Sequence, residues 1–234
     1  MIATPALSCT PRASGLSSHP ARIDRRYRLL RCLCALIGVP YFRPRVDFVG
    51  ALPSGPFIVA CTHTTLLDWA AIAHFIPRPV RFLVTRDYYD HPLFRWFCRW
   101  GGAIPVRPGR VEPSAIRAAL SALDKGEVVG IFPEGRITRD GAQLPFQRGA
   151  VELAIRSGCP IVPATIRGAF RAFPRHRRVP RPRRVVVAFG APLDCAGLAT
   201  GRAPLSEAER RDRSDTLTRE LAARVARLTG DRRT

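Results

Sequence analysis

The sequence predicts an α/β fold, a single domain with a central mixed, largely parallel sheet flanked by helices. Three observations carry that prediction. From about residue 55 short apolar runs of strand length alternate with segments of helical period. Alternation of this kind argues for a central sheet buried on both sides. No internal repeat and no long linker divides the 234 residues, so one sizeable core is expected.

The elements follow in order. "FIVAC" at 57 to 61 reads as a buried strand. Thr65 to Asp68 fits a T-x-x-D capping box, so a helix is expected to begin at Thr65 and carry Trp69, Ile72 and Ile76 until Pro77 ends it. "VRFLV" at 80 to 84 is the next strand, "PLFRWFCRW" at 92 to 100 a helix, and "GAIPV" at 102 to 106 a strand interrupted by proline. A helix from Pro113 to about Gly126 carries Ile116, Leu120 and Leu123. Then come "VVGIF" at 128 to 132, a helix from Arg148 to Ser157 capped by Gly158, "IVPATI" at 161 to 166 and "RVVVAF" at 184 to 189. A last helix starts at Ser206 with Glu209 as its capping-box partner and carries Leu217, Leu221, Val225 and Leu228.

Charge narrows the partners. Lys+Arg 38 against Asp+Glu 18 gives +20, and Lys125 is the sole lysine. Such an excess suits an anionic partner, whether nucleic acid, an anionic membrane surface or a phosphorylated substrate, while the preference for arginine also fits genomic base composition. A nucleic-acid-binding module is the rival of a different class, but no helix-turn-helix, RNP or zinc-finger pattern supports it, and no nucleic acid is expected as partner. The basic run at 171 to 184 fits a solvated loop, a headgroup contact or a phosphate contact. Seven cysteines without a C-x-x-C pair read as free thiols and offer no metal site.

No segment supplies the roughly 20 apolar residues of a membrane-crossing helix. Residues 22 to 42 come nearest, with arginines crowding the first half and Cys32 to Val39 uncharged. That pattern fits an N-terminal membrane-interfacial helix over residues 21–45, or equally a core-packing helix with a solvated basic start. Residues 1–20 are expected to be disordered and lack the apolar stretch of a secretory signal. The protein is therefore expected to be peripheral or monotopic on the cytoplasmic face of the cell membrane. Deleting residues 1 to 42 is expected to weaken vesicle binding and leave the domain folded. The aromatic face of Phe94, Trp96, Phe97 and Trp100 fits membrane contact and core packing equally.

Polar residues gather where the strands end. His63 and Asp68 follow "FIVAC", Arg107 follows "GAIPV", and Glu134, Gly135 and Arg136 follow "VVGIF". Loops beyond strand ends are where α/β sheets place their functional residues. A histidine suits proton abstraction near neutral pH, and an aspartate bonded to one ring nitrogen fixes the tautomer and favours the imidazolium. Residues five apart lie about 140° apart on a regular helix, so His63 must precede the helix for Asp68 to reach it. The structural reading of Asp68, as the acid of a capping box, is compatible with this one. Cys61 is the rival nucleophile, but its place at the end of an apolar strand favours a buried thiol.

Taken together, these segments resemble the glycerolipid acyltransferase family typified by bacterial 1-acylglycerol-3-phosphate acyltransferase. The H-x-x-x-x-D block looks like His63 to Asp68. G-x-I-x-V-x-R is matched by Gly102, Ile104, Val106 and Arg107, and F-P-E-G with a following arginine by "FPEGRITRDG" from Phe132. The apolar strand with a central proline is matched by "IVPATI" with Pro163. Two departures stand out: Thr62 occupies a position where many members have Asn, and Arg136 arrives one residue early, a variant that looks like enzymes re-acylating lysophosphatidylethanolamine.

The resemblance implies an acyltransferase domain over 46–234 that moves a fatty acyl group from acyl-CoA or acyl-carrier protein to the hydroxyl of a lysophospholipid, 1-acylglycerol-3-phosphate first. It implies no cofactor beyond the donor co-substrate. His63 and Asp68 would be catalytic, and Arg107, Glu134, Gly135, Arg136 and Pro163 would bind substrate. A guanidinium fork matches phosphate in geometry and charge, which suits Arg107 and Arg136 to the acceptor's phosphate. With no G-x-S-x-G elbow in the chain, direct attack is expected rather than an acyl-enzyme.

Overall fold

The computed structural model describes residues 24–107, 112–174, 177, 179–195 and 206–230. The disorder expected for residues 1–20 lies outside them. Strands β1 (Arg45–Phe48), β2 (Phe57–Cys61), β3 (Val80–Thr85), β4 (Ile104–Val106), β5 (Val128–Ile131), β6 (Ile161–Arg167) and β7 (Val186–Phe189) form one sheet in the order β1-β7-β6-β2-β5-β3-β4. Only the β6–β7 pair is antiparallel, so the sheet is mixed and largely parallel as predicted.

The helices are α1 (Arg25–Phe42), α2 (Asp68–Phe75), α3 (Arg86–Tyr89), α4 (Arg95–Gly101), α5 (Pro113–Asp124), α6 (Gly149–Ser157), α7 (Ala169–Ala172) and α8 (Glu207–Gly230). Alternation along each strand feeds two apolar layers. Ile58, Ala60, Val129, Ile131 and Ile161 pack with α5, α6 and α8 on one face. Phe57, Val59, Cys61, Val128 and Val162 pack with α2 on the other. Burial on both faces is why these strands read as unbroken apolar runs.

Local chemistry accounts for the ends. Gly158 closes α6 in the left-handed region, and Ser206 and Glu209 form the predicted reciprocal box at the start of α8. The start of α2 differs from expectation. It begins at Asp68, not Thr65, and its cap residue Leu67 makes no side-chain bond. Asp68 instead turns back to the preceding loop and accepts from the backbone N–H of Thr64 and Thr65 at 2.6 and 2.8 Å. Six residues therefore separate β2 from the helix proper.

Helix α1 has two faces. Tyr27 and Leu30 are buried, and the Tyr27 hydroxyl accepts from the Val80 N–H at 2.9 Å. Arg31 donates to the His74 carbonyl, tying α1 to the end of α2. Leu36 and Ile37, by contrast, are 74% and 73% exposed. Core packing and an outward apolar face thus coexist, so removal of residues 1 to 42 would take away core contacts as well as the outward face. Such a cut strips the partner of a buried strand N–H and uncovers the pocket filled by Leu30.

Strands β2, β5, β3 and β4 run parallel, so their exits share one edge. The sheet order sets the sequence of loops along it: His63 first, then Phe132 to Arg136, then Arg86, then Arg107. Adjacent strands lie about 4.8 Å apart, which spreads the four exits over roughly 15 Å.

Candidate active site

His63 leaves β2 just beyond Thr62, whose hydroxyl meets that of Thr165 at 3.2 Å, and Thr165 in turn meets Thr229 of α8. Thr62 thus anchors the base of the loop to β6 and α8. The His63 carbonyl accepts from the Thr138 N–H at 2.9 Å, which joins this loop to the one after β5. The imidazole Nδ1 lies 3.1 Å from Asp68 Oδ2. Asp68 is 1% exposed, and Thr64 and Thr65 supply their hydroxyls to its second oxygen as well as their amides to the first. A carboxylate ringed by donors can only accept, so Nδ1 carries the proton and Nε2 is the basic nitrogen. The histidine side chain keeps 19% of its surface exposed.

One face of the imidazole lies on the Phe132 ring, at 4.0 Å between centroids. Two residues further, Glu134 is buried, and neither of its carboxylate oxygens has a partner at hydrogen-bonding geometry. Burial pushes this carboxyl up to about 7; the N–H groups of Leu144 and His63 pull it down a little, and Asp68 pushes it up. A buried acid whose neighbouring N–H groups fall short of hydrogen-bonding geometry, and which lines an open groove, is placed to meet a ligand. That groove, about 380 Å³, is bordered by Glu134, Gly135, Arg136, Leu144, Phe146 and Gln147. Gly135 has φ +68, and a Cβ there would come within 2.8 Å of Gln147 Nε2. Arg136 is exposed at the rim.

Arg107, 57% exposed, pairs through Nε with Glu112 at 3.1 Å. The other oxygen of Glu112 faces Arg86 at 3.4 Å. Two guanidinium groups from the exits of β3 and β4 therefore share one carboxylate, leaving a local charge of +1. Arg86 was not singled out by sequence reasoning, although its position right after a strand was the available signal. Phe132 and Thr138 were missed as neighbours of His63 for a different reason: their contacts join segments some seventy residues apart.

One sequence-predicted residue sits elsewhere. Pro163 is buried within β6 and does not border the Glu134 groove. Ile161 faces Leu193 while Ala164 faces Phe189, so two residues of β6 oppose three beyond β7, the extra residue lies within 190–192, and Pro163 sits opposite it with its carbonyl taking the Gly190 N–H. Residue N–H and C=O point to the same side of a strand, so the missing N–H costs no bond to β2. The proline is thus placed inside the sheet, away from the groove. Cys61 is wholly buried, and burial raises its thiol well above the ordinary range, which removes it as a nucleophile at neutral pH. Among the described residues no cluster of His, Cys, Asp and Glu suits a metal ion.

At one strand edge of an α/β sheet the structure thus gathers a histidine held by a buried aspartate, a buried acid on the loop after β5, and two arginines at the exits of β3 and β4. The Acyltransferase family model matches residues 43–167, and the chain belongs to that family. A 1-acyl-sn-glycerol-3-phosphate acyltransferase of Bacillus subtilis (strain 168) is 32% identical over 113 residues, 48% of this chain and 56% of its own. The alpha form of that enzyme from Mus musculus is 27% identical over 186 residues, 76% of this chain and 65% of its own. The chain spans about half the length of the curated relatives it matches. In fold, the crystal structure of PlsC, the 1-acyl-sn-glycerophosphate acyltransferase of Thermotoga maritima, superposes with TM-score 0.63 at 23% identity over 86% of this chain and 83% of that one.

Proposed function

We propose that the protein transfers a fatty acyl group from a thioester donor, acyl-CoA or acyl-carrier protein, to the free hydroxyl of a lysophospholipid, with 1-acylglycerol-3-phosphate as the acceptor. The observation that carries this reading is the His63–Asp68 pair, with Nδ1 committed to the carboxylate and Nε2 left to take a proton. His63 removes the hydroxyl proton as the oxygen attacks the thioester carbonyl. Asp68 favours the imidazolium that results. The thiolate then leaves, and the proton held on Nε2 returns to it, so the histidine is neutral again at the end of the cycle.

Arg107 and Arg86 bind the acceptor phosphate, exchanging part of their contact with Glu112 for phosphate oxygens. Arg136 adds charge at the groove rim. Glu134, half protonated near neutral pH, donates to or accepts from the acceptor's polar backbone. Relatives bearing the name 1-acyl-sn-glycerol-3-phosphate acyltransferase support the choice of acceptor.

We also propose that the enzyme works on an anionic membrane surface. Exposed Arg25, Arg26 and Arg28 begin α1, and exposed Leu36 and Ile37 follow on it. Among the described residues no helix is long and apolar enough to cross a membrane.

The test is thioester consumption by the purified protein against a panel of lysolipids, with the product identified by mass. Product from 1-acylglycerol-3-phosphate at the highest kcat/KM is expected. A higher kcat/KM with lysophosphatidylethanolamine moves the assignment to that acceptor, and consumption with neither overturns it.

A further inference from the structure

We propose that Phe132 and Phe82 form a ring stack that positions the His63 imidazole and favours its protonated form, and that Gly130 makes the room the stack requires. The inference rests on the reading of His63 as general base. The His63 and Phe132 rings are 4.0 Å apart with planes 14° from parallel, and the Phe132 and Phe82 rings are 5.5 Å apart at 15°. Three rings from three chain segments thus lie nearly parallel in one column.

The period of two along the strands builds this column. Phe82 of β3 is in register with Gly130 of β5, Phe132 lies two positions beyond Gly130, and His63 lies two beyond Cys61 of β2. All of them fall on the sheet face that holds Val59 and Cys61. A Cβ at Gly130 would stand 2.4 Å from two ring carbons of Phe82, so Phe82 can lie flat over β5 only because that position is glycine.

The two constraints on the imidazole are complementary. Asp68 holds the ring in its plane through Nδ1, and Phe132 fixes the orientation of the plane, so Nε2 has one direction left. The stack also discriminates between charge states. A neutral imidazole gains only ordinary stacking on a benzene face, whereas an imidazolium adds attraction to the ring quadrupole, and more so when desolvated. The extra interaction belongs to the state in which His63 holds the substrate's proton. Binding that strengthens on the way to the transition state is the kind that raises kcat.

The experiment measures kcat, both KM values and melting temperature for Phe132→Leu, Phe132→Tyr and Gly130→Ala. Leucine keeps apolar bulk without a π face, so kcat is expected to fall about 3- to 30-fold while neither KM moves by more than about twofold. Tyrosine restores the ring and returns kcat to within about threefold of the parent. Gly130→Ala touches neither His63 nor Phe132, yet by displacing Phe82 it lowers kcat in the same manner, and it decides the matter should Phe132→Leu fail to fold. Parent kcat in both Phe132→Leu and Gly130→Ala overturns the proposal, as do equal losses in the leucine and tyrosine variants. Full turnover in His63→Ala instead removes the general base itself; inactivity there beside an unimpaired Phe132→Leu removes only the stack.

Discussion

Asp68 Oδ2 accepts three hydrogen bonds at once, from His63 Nδ1 at 3.1 Å and from the backbone N–H groups of Thr64 and Thr65 at 2.6 and 2.8 Å. The carboxylate that orients the base is therefore also the residue that shapes the loop carrying it. Asp68→Asn separates the two duties. Its carbonyl oxygen can keep the three donors, and the threonine hydroxyls can turn to accept from its amide, so the loop holds with a stability loss of about 1 to 3 kcal/mol. The charge that favours an imidazolium is gone, and kcat is expected to fall roughly 10²-fold or more. Near-normal turnover with only the stability loss assigns Asp68 to the loop alone.

Glu134 makes stability depend on pH. Its folded carboxyl titrates at about 7 against an ordinary 4.5, so the folded protein keeps a proton that the unfolded chain has already released. That contribution is full below the unfolded value and is lost as pH rises through 7. Glu134→Gln has no proton to lose. The variant should match the parent near pH 4.5 and exceed it at pH 8 by about 1 to 3 kcal/mol, once solvent entering the groove is allowed for. Denaturant melts at both pH values measure the gap; parallel curves would show that the acid is not desolvated.

Arg107 and Arg86 share Glu112, so both should act on the acceptor. Replacing either by alanine removes a charge-assisted contact and is expected to raise the acceptor KM roughly 10- to 100-fold, with the donor KM little changed. A rise in the donor KM would place the pair on the thioester side.

Helix α1 separates packing from surface binding. Leu36→Asp with Ile37→Asp should weaken binding to vesicles containing anionic lipid without moving the melting temperature, because both side chains are about three-quarters exposed. Tyr27→Phe should do the reverse, costing about 1 to 3 kcal/mol by orphaning the buried Val80 N–H. Unchanged vesicle binding in the aspartate pair removes α1 from the membrane contact.

Much of this arrangement was legible in the chain. β2, β5 and the first part of β6 are apolar runs buried on both faces, and two-sided burial writes that pattern directly. β1 was not legible: Arg45 and Asp47 alternate with Val46 and Phe48 in four residues at the sheet edge, and Asp47 is held by Arg167, some 120 residues away. The T-x-x-D pattern located the right four residues, and Thr65 and Asp68 do make capping bonds, but the regular helix opens only at Asp68 because the carboxylate also clasps the loop at Thr64 and His63. Pro163 lies inside the sheet opposite the one-residue slip at 190–192, a feature of strand pairing that spacing alone does not display. The pairing of Arg86 and Arg107 through Glu112 depends on the order β3-β4, and local pattern carries no information about strand order.

His63 as general base is the claim on which the other assignments depend. The direct measurement is turnover of purified His63→Ala beside the parent, both substrates saturating and the fold checked by melting temperature. The account predicts a folded protein with kcat reduced about 10²- to 10⁴-fold. A folded His63→Ala that turns over within about threefold of the parent, a difference worth roughly 0.7 kcal/mol in barrier height, would contradict it.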